Sequence, residues 1–461
     1  MRLRPKAVAS IVLASFAVVC ASGCAGGAGT GTSVTPIAPL SRGSYAAQPN
    51  ERAARKVAQW LQFGYDAGHS GYNPLEKSIG HKNVSKLRIA WNDKRIIQPG
   101  GIAVADNVVY VDDMGQTKQG LYAIDAATGA KKWYANVRLN GSWGAFTHAV
   151  PVVAGNVIVT PCSNGSSSAF LTGLCGVDAK NGKILWKTYC QEYQGSPCGG
   201  LNSGTSPAFD GKLVYFQSTQ GVNEQPDTQA LDPKTGKIVW DVAGVYHCPD
   251  AGDSSANPLP VSNGLVFAVL GCQSPSYSTE ICGFSTTAGK AAWCDASPTA
   301  YIEDLIAGGG KLYVVEPGDS GLEIVAFDAG TGARMWAASL PGGNFSALAT
   351  ANGRLFVSDG GAGVYALSAN SGKQLWSYTA NANLFVGGVL SVANGIVYAD
   401  GGGGNNGNVA ITAFNAKNGS VIWTSGSIGN GGARATPAIV NGAVYAGCYT
   451  LCSFTLPHQK P

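Results

Sequence analysis

Apolar and polar positions along the chain alternate over short distances. Segments such as VVAGNVIVTPC (152–162) and AIVNGAVYAGC (438–448) are Val/Ile-rich runs split by a Gly- or Asn-bearing turn, the pattern of two short paired strands. A second pattern follows such pairs. YAIDAATGAKKW (122–133), CGVDAKNGKILW (175–186), QALDPKTGKIVW (229–240), CGFSTTAGKAAW (282–293), VAFDAGTGARMW (325–336), YALSANSGKQLW (365–376) and TAFNAKNGSVIW (412–423) align without gaps. Eight residues before the Trp stand Asp125, Asp178, Asp232, Ser285, Asp328, Ser368 and Asn415; Gly always stands four before it, and Ala or Gly ten before it. Asp-x-x-x-Gly is turn chemistry, because the carboxylate bonds nearby backbone N–H groups and Gly accepts a positive φ. Each unit therefore holds four short strands.

Steps from Trp91 through the successive motif Trp residues are 42, 53, 54, 53, 43, 40 and 47 residues, which suits four-stranded propeller blades. LRIAW (87–91) is a last strand without its three predecessors, and RATPAIVNGAVYAGCYTLCSFTLP (434–457) is three strands without a Trp strand. Joined, they make one more blade from both termini and hide both sheet edges. The expected fold is all-β: an eight-bladed β-propeller over 87–457, its last blade closed by the N-terminal strand.

These units resemble the pyrroloquinoline-quinone-type (PQQ) propeller repeat, Ala-x-Asp-x-x-Thr-Gly-x-x-x-Trp, across 87–457, and WLQFGYDAGHSGYNPLEKSIGHKNVSKLRIAW (60–91) is similar to the segment preceding the first blade in that superfamily. The resemblance implies that Trp133, Trp186, Trp240, Trp293, Trp336, Trp376 and Trp423 are core docking residues, each stacked on the Gly-bearing turn of a neighbouring blade. The superfamily includes quinone- and calcium-dependent dehydrogenases of alcohols or sugars as well as non-catalytic envelope lipoproteins, so the fold leaves the function open. Such dehydrogenases typically show two adjacent Cys, often Cys-x-x-Cys-His, and long insertions over the site. This chain has no adjacent Cys pair, no such haem motif and near-minimal blades.

Composition adds a compartment. The 461 residues are 45% hydrophobic and 13% charged, which excludes wholesale disorder. Residues 91–461 carry 20 basic and 24 acidic side chains, whereas a nucleic-acid binder shows a basic surplus or stripe. Arg2, Arg4 and Lys6 precede the apolar run 7–20, as in an export signal. Ala21-Ser22-Gly23-Cys24 resembles a bacterial lipobox. Residues 1–23 are therefore read as a signal peptide, Cys24 as lipidated, and the Gly/Ser/Thr/Pro-rich stretch 24–50 as a flexible linker from that anchor. Residues 51–86 are a lead-in segment with a short helix over 50–60, placed on the disc rim or against a partner, and 51–90 hold seven basic against three acidic residues.

Ten Cys follow Cys24: Cys162, Cys175, Cys190, Cys198, Cys248, Cys272, Cys282, Cys294, Cys448 and Cys452. An even set in an exported chain reads as up to five disulfides. Spacing does not fix the connectivity; short separations favour 162–175, 190–198, 272–282 and 448–452, leaving 248–294. A metal site at Cys448 and Cys452 competes, but no second Cys pair or His cluster accompanies them.

A binding site is expected at one mouth of the central channel, on the loops that run from each Trp strand to the next innermost strand. There Asp253, Glu303 and Asp304 are the metal candidates, being oxygen donors of the kind calcium takes. Arg434 offers paired donors to a carboxylate, and His148 and Asn257 complete the candidate cofactor set. The reading is an exported, lipid-anchored, monomeric propeller that binds an envelope protein, peptide or glycan without catalysis or cofactor. The alternative is an oxidoreductase of alcohols or sugars that uses PQQ and calcium.

Overall fold

The computed structural model describes residues 58–97, 99–113, 119–137, 150–163, 172–189, 206–218, 227–242, 259–270, 280–296, 302–318, 321–341, 347–359, 363–379, 390–401, 410–426 and 435–457. They form eight sheets, antiparallel but for the short strand Tyr72–Asn73, which joins one of them in parallel. Blades 1 to 7 are continuous in sequence and span 99–135, 152–189, 208–242, 261–296, 304–340, 347–379 and 390–424. Blade 8 takes three strands from the C-terminal side, Ala438–Val440, Ala443–Cys448 and Thr450–Thr455, and its outer strand, Arg88–Ile97, from the N-terminal side. Arg88 pairs with Thr455, so both chain ends meet in one ladder. The propeller and its closure are as the repeat pattern predicts.

Each strand-3 to strand-4 hairpin repeats one backbone design. The Gly N–H donates to the carbonyl of the Asp, Ser or Asn four residues earlier at 2.8–2.9 Å in all seven motifs, and every one of these Gly residues has φ between 65° and 76°. The side chain does the rest: Asp178 Oδ1 accepts from the N–H of Lys180, and Asp328 Oδ1 from those of Gly330 and Thr331. The small residue ten before each Trp lies directly opposite it in the ladder, as in Gly176–Trp186 and Ala326–Trp336. A methyl on Gly176 would sit 2.1 Å from the Trp186 ring, so size is restricted there.

The indoles join one blade to the next. The Nε1–H groups of Trp91, Trp133, Trp186, Trp240, Trp293, Trp336 and Trp376 donate to the carbonyls of Ala126, Ala179, Pro233, Thr286, Ala329, Ala369 and Ala416 at 2.9–3.2 Å. Each acceptor lies in the following blade, one residue after its motif Asp, Ser or Asn. The same rings lie against the next motif's Gly, where an added methyl would come within 2.5–2.9 Å. Trp423 differs. In blade 8 the chain is broken between strands 3 and 4, so there is no Gly turn, and Trp423 meets Phe454 edge-on at 5.6 Å. The indoles are also less deeply set than a core placement implies. Only Trp133 and Trp376 are buried, at 8% exposure each; Trp186, Trp240, Trp293, Trp336 and Trp423 are half-buried.

Three disulfides lie among the described residues: Cys162–Cys175, Cys282–Cys294 and Cys448–Cys452. The second corrects the spacing argument, which had joined Cys282 to Cys272 and Cys294 to Cys248. Cys282 and Cys294 face each other across strands 3 and 4 of blade 4, and that register outweighs sequence proximity. Cys190, Cys198, Cys248 and Cys272 lie outside the described residues. So does most of the helix expected over 50–60. Its described end is not helical: Trp60 forms an antiparallel bridge with Val104 and is fully buried, away from the rim.

Candidate functional site

In an antiparallel blade the strand 1–2 and 3–4 turns share one end, and the 2–3 and blade-to-blade connections share the other. The two ends of the ring differ. At the turn end, residues 60–73 run as a strap beneath the innermost strands and bond to all eight blades in order. The backbone of Trp60 exchanges two hydrogen bonds with Val104 of blade 1, and Leu61 accepts from Val153 of blade 2. The Gln62 amide holds both the N–H and the C=O of Phe209 in blade 3. The carbonyls of Ala67, Gly68, Ser70 and Gly71 accept from Val261, Ala307, Thr350 and Val392 of blades 4 to 7, and Asn73 Nδ2 donates to Ile439 of blade 8 at 2.7 Å. The Gly64–Tyr65 turn makes the curvature possible, with φ of 60° and 77°.

The strap is polar and buried. Asp66 accepts from the N–H and hydroxyl of Ser70, and burial raises its pKa despite those bonds. His69 is 1% exposed, packs edge-on against Phe63 at 5.2 Å, and has no hydrogen-bond partner at either nitrogen. Burial without a partner lowers its pKa to about 3, so the ring is neutral. Among the described residues, then, the turn end of every blade's first strand is tied to this one strap.

At the loop end, buried carboxylates finish several second strands. Asp112 accepts from Thr160 of blade 2 at 3.0 and 3.1 Å. Its pKa is pushed up to about 8 by burial, with the Asp113 charge adding and the Thr160 bond opposing. Asp359 accepts from the Gly363 N–H at 2.9 Å and the Tyr365 hydroxyl at 3.3 Å. Glu316 lies 3.6 Å from the Arg334 guanidinium, and Gln217 of blade 3 donates to Val269 of blade 4 at 3.0 Å. Sequence reasoning passed over this set. Its signal was present in the polar pair Asp112-Asp113 ending an apolar run.

Of the site residues expected from sequence, the described ones are Glu303 and Asp304, at the loop end of the first strand of blade 5. Asp304 accepts from the Leu305 N–H at 2.9 Å, and burial pushes its pKa up to about 7, with the Glu303 charge adding. Glu303 Oε2 is buried without a hydrogen-bond partner, and burial raises its pKa too. The Glu303 and Asp304 charges repel, which adds to the effect of burial on Asp304. His148, Asp253, Asn257, Arg434 and Cys24 lie outside the described residues. The one compact trio of metal-type side chains among the described residues is Glu280, Cys282 and Cys294, whose two sulfurs are bonded to each other.

Known proteins of this shape divide along the same line as the sequence. The solved quinohemoprotein alcohol dehydrogenase from Comamonas testosteroni superposes with a TM-score of 0.66 at 14% identity, over 88% of this chain and 81% of its own; that likeness is one of fold. The dehydrogenase subunit of a quinone alcohol dehydrogenase from Gluconobacter oxydans (strain 621H) is 26% identical over 43% of this chain, and the matched stretch spans 26% of that protein. The outer membrane protein assembly factor BamB of Yersinia pestis is 23% identical over 61% of this chain and 64% of its own length. The family model described as outer membrane protein assembly factor BamB matches residues 83–241, 224–336 and 322–451. With nearly every blade inside those matches, the chain belongs to this family of PQQ-type repeat propellers.

Proposed function

We propose that the protein is an exported envelope protein, lipid-anchored through Cys24, that works as a non-catalytic scaffold presenting the loop end of a rigid ring to a protein, peptide or glycan. The observation that carries this reading is how the loop-end polar groups are used. Asp112, Gln217 and Asp359 are hydrogen-bonded within or between blades and Glu316 is ion-paired with Arg334, which favours a stiffened surface over an open reaction centre. Kinship with BamB proteins supports the same role.

A second reading, oxidation of alcohols or sugars with PQQ and calcium, is favoured by the bare Glu303 Oε2 beside Asp304 and by the dehydrogenase relatives. In that reading Glu303 and Asp304, with Asp253, supply oxygen ligands to calcium, while Arg434, His148 and Asn257 hold the quinone, which accepts the substrate's electrons. Two experiments separate the readings. Cross-linking in native envelopes, followed by mass spectrometry, should capture a specific partner at the loop end. Isothermal titration of the full chain with PQQ should give no calcium-dependent heat. Micromolar calcium-dependent binding, lost in Glu303→Gln, would overturn the scaffold reading.

A further inference from the structure

A notch of about 130 Å³ opens at the turn end between blades 6 and 7, and its polar side chains are His81, Asn352, Arg354, Asn415 and Lys417. Arg354 and Lys417 belong to adjacent blades, and His81 reaches in from the lead-in segment, its Nε2 beside Gly395. No carboxylate lines it.

The neighbouring junction shows what these positions do when they are matched. Lys311 of blade 5 and Arg354 of blade 6 hold the same register place, opposite Gly308 and Ala351 at their strand 1–2 turns. Asn370 and Lys417 both stand two residues after the first residue of the motif turn, Ser368 and Asn415. Between blades 5 and 6 the result is a bond, Lys311 Nζ to Asn370 Oδ1 at 3.2 Å. Between blades 6 and 7 the corresponding residues are Arg354 and Lys417, two cations that line one notch together with His81. Arg354 Nε is buried and has no hydrogen-bond partner, and a guanidinium with a donor unpaired suits an oxyanion.

The surroundings reinforce the sign. The two described acidic residues of the lead-in segment face inward: Asp66 bonds Ser70, and Glu76, 1% exposed, accepts from Ser78, Ile79 and Gly442. Lys77, His81, Lys82, Lys86 and Arg88 stay exposed. The exposed face of the segment, which reaches the notch through His81, is therefore more basic than its residue count indicates.

We propose that this notch is a binding site for a phosphate-type oxyanion, either free or carried on a lipid headgroup. The test uses the purified full chain at constant ionic strength, titrated calorimetrically with inorganic phosphate. Saturable binding is expected. Arg354→Gln and the exposed Lys417→Gln should each weaken it at least tenfold, whereas Lys234→Gln, at the matching turn position of blade 3, should leave it unchanged. Co-sedimentation with phosphatidylglycerol vesicles but not phosphatidylcholine vesicles, competed by phosphate and lost in Lys417→Gln, would make the source a headgroup. Phosphate binding without vesicle binding would make it the free anion. Absence of saturable phosphate binding, or equal binding by Lys417→Gln and the unmodified chain, overturns the proposal.

Discussion

Two glycines of blade 2 separate backbone strain from blade contact. Gly155 has φ of 64° and open space where a methyl would go. Gly182 has φ of 76°, and a methyl there would lie 2.7 Å from the Trp133 ring of blade 1. Placing Ala in the left-handed region costs about 1 kcal/mol at either site. At Gly182 the overlap with a buried indole adds roughly 1–3 kcal/mol, as overpacking does, giving about 2–4 kcal/mol in all. Trp133→Ala alone should cost roughly 3–5 kcal/mol, because it empties a buried site and removes the indole's bond to the Ala179 carbonyl. In that background Gly182→Ala should fall back to about 1 kcal/mol, a coupling of roughly 1–3 kcal/mol. Urea midpoints at unchanged slope measure all four species. Equal costs at Gly155 and Gly182, or an unreduced Gly182 cost without Trp133, would refute the claim that the ring–glycine contact locks the blades.

Other consequences are testable by the same means. Gln62→Leu should cost about 2–4 kcal/mol, since it leaves the N–H and C=O of Phe209 unpaired, and hydrogen exchange should speed up in 208–209. The folded His69 pKa of about 3 lies below its ordinary 6.5, so the folded state resists its protonation and stability should fall as pH drops from 6.5 towards 3. That acid-side loss should shrink in His69→Asn, which tolerates the local φ of 55°. Asp112 behaves oppositely, its folded pKa being about 8 against 3.8. Its contribution is full below pH 3.8 and is lost as pH rises towards 8, so Asp112→Asn should flatten that slope. Non-reducing digestion with mass spectrometry should recover a Cys282–Cys294 linked peptide; a Cys272–Cys282 link would contradict the blade 4 register.

The sequence carried the ring because the ring is written in repeats. Gly at the turn, a small residue opposite the Trp and the Trp itself are side-chain requirements, imposed seven times over. The unpaired strand at 87–91 and the Trp-less strands near the C-terminus were legible for the same reason. The strap was not, because most of its ties are made by backbone carbonyls, which every residue has; Gln62, Tyr72 and Asn73 contribute side chains to the blades. Cys pairing failed in blade 4 because partners there are set by which residues face each other across a ladder. Exposure of the indoles was misjudged because the Trp strand is the outermost of each blade, where one face of the ring packs and the other meets solvent. Of the candidate site, Glu303 and Asp304 could be tied to a first strand, and Asp112 was missed because its role depends on Thr160, 48 residues away.

The strap also dictates an order of assembly. Residues 60–73 and strand Arg88–Ile97 leave the ribosome before any blade exists, yet their last ties, Asn73 to Ile439 and Arg88 to Thr455, wait for the end of the chain. The first of these spans 366 residues. Such non-local closure makes folding slow and keeps an unpaired strand open throughout synthesis. Release of a chain lacking its last blade therefore yields no slightly weakened ring. It yields seven blades with a bare apolar face on each side of the gap and an N-terminal strand that has nothing to pair with.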